Sequence, residues 1–256
     1  MGIVNVTPDS FSDGGRHFDA ARAIAHGLRL RDEGADIVDV GGESTRPGAH
    51  AVSLDDELDR VIPVITALAR EGVAVSVDSM KPDVMRAALD AGASLVNDVN
   101  AFRAPGAAEV LAASGASACV MHMQGTPLTM QSDPHYDDVV AEVSSYLAAR
   151  AAALEAAGVP RGRIAIDPGF GFGKTLAHNL ALLRALPRIA ALGYPVLAGL
   201  SRKRMIGDIT GRGVGDRLGG SVAAALLAVQ NGATLVRVHD VKETVDAIKV
   251  WMAVRQ

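Results

Sequence analysis

Short runs of apolar, often β-branched residues alternate with longer Ala- and Leu-rich stretches along the whole chain. This alternation predicts strands at residues 2–7, 37–41, 73–78, 94–99, 118–123, 163–167, 195–201 and 234–240. Seven of these runs are nearly continuously apolar, which is typical of parallel strands that are buried on both faces. The eighth differs, because Arg237 and His239 interrupt its valines.

The stretches between the strands have the apolar spacing of amphipathic helices. The clearest predicted helices span residues 53–71, 82–91, 133–157, 176–192 and 216–231. Pro82 suits a first helical turn, where its missing N–H has no partner to lose. Gly-Ala pairs follow several of the helices, and a glycine just past a helix end supplies a left-handed cap. The sequence therefore predicts eight strand–helix units.

Two parallel architectures fit such units, a closed eight-stranded barrel and an open doubly wound sheet. The chain has 256 residues, and a closed barrel of this type typically has about 250. No linker or low-complexity segment divides the sequence. We therefore predict one α/β domain over residues 1–256, a (β/α)8 TIM barrel with its active site at the C-terminal face of the strands.

Composition excludes several classes of function. The net charge of −4 and the aromatic content of 4% argue against nucleic-acid binding, which uses basic faces and stacking platforms. No apolar run reaches the ~18 residues of a membrane span, and no basic segment opens the chain as in a signal peptide. Cys119 is the only cysteine, so an intrachain disulfide is excluded and a cytoplasmic location is expected.

Polar residues occur at the C-terminal end of each predicted strand, which in a barrel is the catalytic face. They include Asn5, Thr7, Glu43, Thr45, Arg46, Asp78, Ser79, Asn97, Asp98, His122, Gln124, Asp167, Ser201, Arg202, Lys203, Arg237, His239 and Asp240. A structural protein does not need a polar group at each strand exit, so we interpret this set as the rim of an active site.

The rim combines two kinds of chemistry. Acceptors at Asp78, Asn97 and Asp167 suit a small heterocycle with several N–H groups, or a developing cation. Positive groups suit phosphate or carboxylate, and they are Arg46, Lys203, Arg237 and His239. The alternative is a structural ring of ion pairs, in which Asp78 and Asp167 pair with Arg237 and Lys203.

The segment GFGFGKT at residues 169–175 is similar to a phosphate-binding loop, but Pro168 stands where that motif requires glycine. The segment is therefore interpreted as a glycine-rich loop that approaches a ligand closely. Phe170 and Phe172 either cover a planar ring or pack under the loop. The histidines show no zinc-ligand spacing.

Eight motifs, in this order, resemble those of a known family. They are NVTPDSFSDGG at 5–15, GGESTRPGA at 41–49, SVDSMKP at 76–82, VNDV at 96–99, MHMQGTP at 121–127, DPGFGFGK at 167–174, GLSRK at 199–203 and RVHDV at 237–241. With them the chain closely resembles the dihydropteroate synthases, the folate-pathway enzymes targeted by sulfonamides. The first, second and sixth motifs are long and specific.

The resemblance implies an Mg2+-dependent transferase with a barrel fold. Such enzymes join p-aminobenzoate to 6-hydroxymethyl-7,8-dihydropterin diphosphate and release 7,8-dihydropteroate and diphosphate. By matching motifs, the pterin is expected at Asp78, Asn97, Met121, Asp167, Phe170 and Lys203. The diphosphate is expected at Asn5, Thr45, Arg237 and His239, with Asn5 also reaching the metal. p-Aminobenzoate is expected at Thr45, Arg46, Pro47, Ser201 and Lys203.

The expected catalytic residues are Asp78, Asp167, Lys203, Arg237 and His239. Diphosphate leaves readily once its charge is neutralised, and carboxylates stabilise the cation that remains on the pterin. This implies a dissociative, SN1-like substitution without a covalent enzyme intermediate. Residues 7–17 and 45–52 carry Gly and Pro and are expected to act as lids. The resemblance also implies a homodimer formed through the later helices.

Two other functions remain open. A pterin-binding methyltransferase that works with a corrinoid partner would share the pterin-reading Asp and Asn residues, but it needs no diphosphate site. Lys203, Arg237, His239 and the Asn5 loop argue against it. A non-catalytic pterin-binding relative is the other alternative, although no expected motif is missing. Turnover of both substrates would distinguish the synthase from either alternative.

Overall fold

The computed structural model describes residues 1–7, 16–45 and 48–255. Within them, eight short strands alternate with helices. The strands are β1 Gly2–Asn5, β2 Val38–Gly41, β3 Val75–Asp78, β4 Leu95–Asp98, β5 Ser117–Met121, β6 Ile164–Asp167, β7 Leu197–Ala198 and β8 Leu235–Val236. The helices are α1 Arg16–Asp32, α2 Leu54–Arg70, α3 Pro82–Asp90, α4 Ala107–Ala113, α5 Val139–Ala156, α6 Leu176–Arg184, α7 Leu186–Ala190, α8 Arg204–Thr210, α9 Leu218–Gln230 and α10 Val241–Val254.

The strands form a closed ring. Strands β1 to β6 pair in parallel in sequence order, and β7 pairs in parallel with β8. Parallel bridges join these two sheets at both seams, Ile166 with Val196 and Gly2 with Val238. The second seam includes a hydrogen bond of 3.0 Å from Val238 N to Met1 O. The predicted α/β barrel is therefore confirmed, and the open doubly wound sheet is excluded.

The predicted elements are all present, but two helix bounds were wrong. The stretch at 176–192 forms α6 and α7, which meet at Ala185, because Pro187 has no N–H to continue the first helix. The helix predicted from residue 133 begins instead at Val139. The Asp138 carboxylate caps it by accepting from the backbone N–H groups of Val140 and Ala141.

The core has an outer and an inner part. The larger cluster lies between the strands and the helices and includes Val40, Val77, Ile65 and Leu68, all fully buried. A smaller cluster joins one apolar residue from each of four strands, Leu95, Cys119, Ala165 and Leu197, with Met1 just before β1. Because side chains alternate along a strand, Leu95 shares the inner face with Asn97. The interior thus changes from apolar at one end to polar at the other.

Candidate active site

Strand register places the predicted rim residues at one level of the barrel. Asn5 on β1 pairs with Gly41 on β2, Gly41 pairs with Asp78 on β3, and Asp78 pairs with Asn97 on β4. Parallel strands in register end together, so their last side chains meet at the same mouth. These residues are therefore brought together as the sequence predicts.

Arg237, which follows β8, connects two carboxylates inside the mouth. Its Nε donates to Asp39 Oδ2 at 2.6 Å, and its Nη2 donates to Asp78 Oδ2 at 2.8 Å. Asn97 Nδ2 donates to the same Asp39 oxygen at 3.2 Å. We call Asp39, Asp78, Asn97 and Arg237 the arginine network. It places one cation against two acids.

Asp39 was not among the predicted site residues. It lies within β2 rather than after it, and it is fully buried. A signal was available, because Asp39 is the one charged residue in an otherwise apolar strand, Val38–Gly41. A buried charge needs a partner. That partner, Arg237, lies 198 residues further along the chain, so sequence alone did not indicate it.

The charged groups in the arginine network shift each other's pKa values. Burial raises the pKa of Asp78 to about 7, because Arg237 offsets the burial only in part and the Asp39 carboxylate adds repulsion. Burial alone would lower the pKa of Arg237, but the attraction of Asp39 and Asp78 is larger and raises it. The arginine therefore stays charged while Asp78 titrates near neutral pH.

A second set of charged residues lies on the β6 and β7 side of the mouth. We call Asp167, Lys174 and Lys203 the lysine network. Asp167 ends β6, and its Oδ1 accepts from the backbone N–H of Gly169 at 2.7 Å. Neither lysine forms an ion pair within 4.0 Å in the described part of the chain. Only half of the structural ion-pair ring is therefore present, the pair between Asp78 and Arg237.

The glycine-rich loop at 169–173 is held by its carbonyl groups. Four successive carbonyl oxygens accept hydrogen bonds: Phe170 O from Lys203 Nζ, Gly171 O from Gln131 Nε2 at 2.5 Å, Phe172 O from Lys174 Nζ at 2.9 Å and Gly173 O from Tyr136 Oη at 2.8 Å. At Gly169, φ is +69° and a Cβ would lie 1.9 Å from the His122 carbonyl oxygen, so no larger residue fits.

The lysine network contains two cations and one acid, whereas the arginine network contains one cation and two acids, so their charge balances are opposite. Burial lowers the pKa of Lys203 to about 8 and that of Lys174 to about 7, although Asp167 raises both. Burial also raises the pKa of Asp167, and the charge of Lys203 opposes that change. Two ammonium groups thus act on one carboxylate, and both of them titrate within reach of neutral pH.

The two phenylalanines of the loop have different positions. Phe170 is fully buried in the larger core cluster, so its side chain packs under the loop and its carbonyl oxygen contacts Lys203. Phe172 is half-buried, with its ring centroid 4.6 Å from Lys203 Nζ. Phe172 packs against the cluster that contains the buried Met121. The aromatic face beside the lysine therefore belongs to Phe172.

His239 lies near the other edge of the mouth and is held by Ser201. The backbone N–H of His239 donates to Ser201 Oγ at 3.2 Å, and the same hydroxyl is 3.0 Å from His239 Nδ1. The hydroxyl can then donate to Nδ1, which leaves the proton on Nε2. A cavity of about 510 Å³ is lined by both His239 and Asn5.

Arg46 and Pro47 lie outside the described residues, as does most of the predicted lid at 7–17. Thr45, just before them, is half-buried. The segment that carries Thr45 is anchored at Glu43, whose carboxylate binds Lys81 Nζ. The same ammonium donates to Glu57 Oε2 at 2.5 Å. This bridge ties the end of β2 to α2 and α3.

The described residues contain no cluster of three His, Cys, Asp or Glu side chains that could hold a metal ion. A resident metal cage is therefore not formed by these residues. Mg2+ usually keeps several waters and binds through one or two protein ligands plus substrate phosphates. Asn5, which lines the cavity together with His239 and residues of α1, carries an amide oxygen of the kind that such a single ligand needs. Separately, no helix in the described ranges has the length and apolarity needed to cross a membrane.

Comparison with known proteins links this arrangement to one family. The family described as pterin binding enzyme matches residues 1–239. The dihydropteroate synthase of Escherichia coli strain K12 is 51% identical over 251 residues, covering 98% of this chain and 89% of that protein. The dihydropteroate synthase of Neisseria meningitidis serogroup C is 54% identical over 258 residues, covering 99% of this chain and 91% of that protein.

Solved structures give the same result. Xanthomonas albilineans dihydropteroate synthase with 4-aminobenzoic acid superposes with a TM-score of 0.94 at 58% identity, covering 100% of this chain and 92% of that one. The enzyme from the same organism in complex with 7,8-dihydropteroate gives a TM-score of 0.91 at 55% identity, again covering 100% and 92%.

Proposed function

The chain belongs to the pterin-binding enzymes and, among them, to the dihydropteroate synthase family, and from this we propose the course of its reaction. We propose that it joins p-aminobenzoate to 6-hydroxymethyl-7,8-dihydropterin diphosphate by a dissociative substitution, for folate biosynthesis. The observation that carries this proposal is the opposite charge balance of the two networks at one mouth. A surplus of carboxylate faces a surplus of ammonium there, which suits a substrate with a cationic transition state and an anionic leaving group.

The pterin ring binds between the networks. The carboxylates of Asp78 and Asp167 accept from ring N–H groups, and Asn97 offers both a donor and an acceptor. All three side chains are buried, at 8%, 5% and 4% exposure, so their hydrogen bonds act in a low dielectric. Lys203 donates to a ring acceptor in place of the Phe170 carbonyl, and Phe172 offers its aromatic face.

The diphosphate binds at the His239 side. With Nδ1 held by Ser201, the Nε2–H of His239 is directed toward a phosphate oxygen. Asn5 and Thr45 contribute polar contacts, and the positive charge of Arg237 acts from below. Mg2+, held by Asn5 and the diphosphate, would neutralise charge on the leaving group when bound.

The bond between the pterin methylene and the diphosphate oxygen breaks first, and its electron pair leaves with the diphosphate. The cation that remains is stabilised through the ring by Asp78 and Asp167. The amine nitrogen of p-aminobenzoate then forms the new bond and loses a proton. No covalent enzyme intermediate is needed, and the one cysteine is an unsuitable nucleophile, because burial raises the pKa of the Cys119 thiol well above its usual value.

p-Aminobenzoate binds on the side of the mouth that carries Ser201 and Lys203, and by its family motif the loop after β2 adds Thr45, Arg46 and Pro47 as further ligands. Its carboxylate suits the cation of Arg46. Sulfonamides are expected to compete for this position, since they resemble p-aminobenzoate in size and in their aromatic amine. Competitive inhibition against p-aminobenzoate, measured by product formation, tests this part of the proposal.

A homodimer through the later helices completes the proposal. Ile209 on α8, and Leu218 and Leu227 on α9, are 55%, 40% and 48% exposed, which leaves apolar surface on neighbouring helices. Light scattering after gel filtration is expected to give the mass of two chains. The cytoplasmic location expected from the lone cysteine stays a prediction.

The reaction is tested by diphosphate release. Sustained release is expected only when pterin diphosphate, p-aminobenzoate and Mg2+ are all present, with dihydropteroate in equal amount, although a single ionisation of bound pterin diphosphate does not need the amine. Sustained release without p-aminobenzoate, with 6-hydroxymethyl-7,8-dihydropterin as the product, would indicate a hydrolase. Binding of the pterin without turnover would favour a non-catalytic relative, and methyl transfer to a corrinoid would favour the methyltransferase.

A further inference from the structure

Lys174 is a buried cation to which the proposed reaction assigns no contact with either substrate. It is 3% exposed, and in the described part of the chain no carboxylate lies within ion-pair distance of it. Its Nζ is 2.9 Å from Phe172 O, 2.9 Å from His122 Nδ1 and 3.4 Å from His122 O. An ammonium has three N–H donors, so these neutral acceptors use all of them.

These contacts join two loops of the mouth. His122 follows β5, whereas Phe172 belongs to the glycine-rich loop after β6. Burial and the nearby Lys174 charge lower the pKa of His122 to about 3, so its ring is neutral and Nδ1 accepts from the ammonium. The closeness of Gly169 to the His122 carbonyl shows how tightly the loops pack. Lys174 fixes their spacing from inside.

The position of Lys174 affects two groups that face the pterin. Phe172 is held at its carbonyl by Lys174, while its ring lies against Lys203. Lys174 also acts on Asp167, since its positive charge opposes the protonation of that buried carboxyl. A shift of Lys174 would therefore move the Phe172 ring and, at the same time, reduce the positive charge near the Asp167 carboxylate.

We propose that Lys174 is a positioning residue for the pterin: through its bonds to His122 Nδ1 and Phe172 O it holds the glycine-rich loop so that Phe172 and Asp167 face one ring. The inference rests on the proposed function, because it assumes that a pterin occupies the mouth. It assigns Lys174 an effect on pterin binding, with little effect on the rate once both substrates are bound.

Three substitutions separate these effects. Lys174→Arg keeps the charge and the donors, Lys174→Gln keeps donors without charge, and Lys174→Met keeps only the length. Lys249→Met on the exposed face of α10 is the matched control. Wild-type turnover of both substrates is measured first. If the wild type does not turn over, the proposed function fails, and this outcome is distinct from a failure of the inference about Lys174.

Binding of the pterin diphosphate without p-aminobenzoate is then measured by calorimetry. We expect Lys174→Met to weaken it at least about tenfold, Lys174→Gln less and Lys174→Arg least, as for loss of a charge-assisted contact. The kcat at saturation is expected to change less than about threefold, because the lost contacts serve binding equally in ground and transition states. Lys249→Met should match the wild type.

Far-ultraviolet circular dichroism and thermal unfolding establish that each variant is folded. Should the Met variant unfold, the more polar Gln and Arg variants still test the charge. If all folded variants bind the pterin diphosphate within about twofold of a wild type that turns over, Lys174 is merely part of the core and the inference is overturned.

Discussion

The arginine network and the lysine network lie at the same barrel mouth, but their cations are held in different ways. Arg237 is paired with two carboxylates at 2.6 and 2.8 Å, whereas Lys174 and Lys203 are held by carbonyl oxygens of the glycine-rich loop. A paired cation keeps its charge, and its removal leaves the buried carboxylates uncompensated. Lys203, on a single neutral acceptor, can exchange that acceptor for a ligand, whereas Lys174 holds the loop. The comparison assigns stability chiefly to the first network and binding to the second.

Removal of Arg237 tests the stability half of this comparison and should have the largest effect. Arg237→Met leaves Asp39 and Asp78 buried without a counter-charge, which costs about 3–5 kcal/mol in free energy of unfolding. Urea denaturation measures this. The control is Arg204→Met, which breaks an exposed pair with Asp208 and should cost less than about 1 kcal/mol. Similar losses in the two variants would contradict the assignment.

Removal of Lys203 tests the binding half. Lys203→Met is expected to lower kcat/KM by about 2 kcal/mol, roughly 30-fold, because the donor to the pterin is lost. Its free energy of unfolding should change by less than about 1 kcal/mol, since no buried ion pair is broken. Diphosphate-release kinetics and urea denaturation of the same preparation give both quantities. A large loss of stability with normal kinetics would reverse the comparison.

Asp78 belongs to the arginine network and also faces the substrate, so it should affect both quantities. Asp78→Asn keeps the shape but removes the charge that stabilises the cation on the pterin. We expect kcat/KM to fall by about 2 kcal/mol, measured by diphosphate release. Near-normal turnover in this variant would show that Asp78 is only a structural partner of Arg237.

The pH dependence distinguishes the two networks, because one acid and one base that contact the pterin in the proposed reaction titrate near neutrality. Burial raises the pKa of Asp78 to about 7, so activity should rise with pH as its carboxyl ionises. Burial lowers the pKa of Lys203 to about 8, so activity should fall as the ammonium loses its proton. Outside this window we expect kcat/KM to fall about tenfold per pH unit. Lys203→Arg should remove the alkaline decline and leave the acid limb unchanged.

Ser201 should give the smallest effect. Ser201→Ala removes the hydroxyl that holds His239 at its backbone N–H and at Nδ1. The imidazole remains, so kcat/KM should fall by only about 1 kcal/mol, the value of one neutral hydrogen bond. A loss as large as that of Lys203→Met would mean that the contact of Ser201 with p-aminobenzoate contributes more than its bonds to His239.

The sequence predicted the barrel because the alternation of apolar runs with amphipathic stretches is a local property that the fold keeps. It predicted the rim for the same reason, since residues such as Asn97 and Asp167 lie in the last two positions of their strands. It could not indicate which cation each acid contacts, because Asp39 and Arg237 meet only when the ring closes. Nor could it show that Phe170 contributes a carbonyl oxygen, since a backbone group leaves no mark in a side-chain pattern. Lys174 was not predicted as a site residue, because the phosphate-binding motif to which it would belong is broken at Pro168.

Closure of the ring through Gly2 and Val238 sets the order in which the site can be completed during synthesis. Asp39 leaves the ribosome early, whereas its counter-ion is encoded 198 positions later. Folding from the amino terminus therefore makes most of the barrel wall while Asp39 and Asp78 inside it still lack their counter-charge. A nascent chain that stops short of the last strand lacks both the Gly2–Val238 seam and Arg237, and ligand binding should begin abruptly with the final segment.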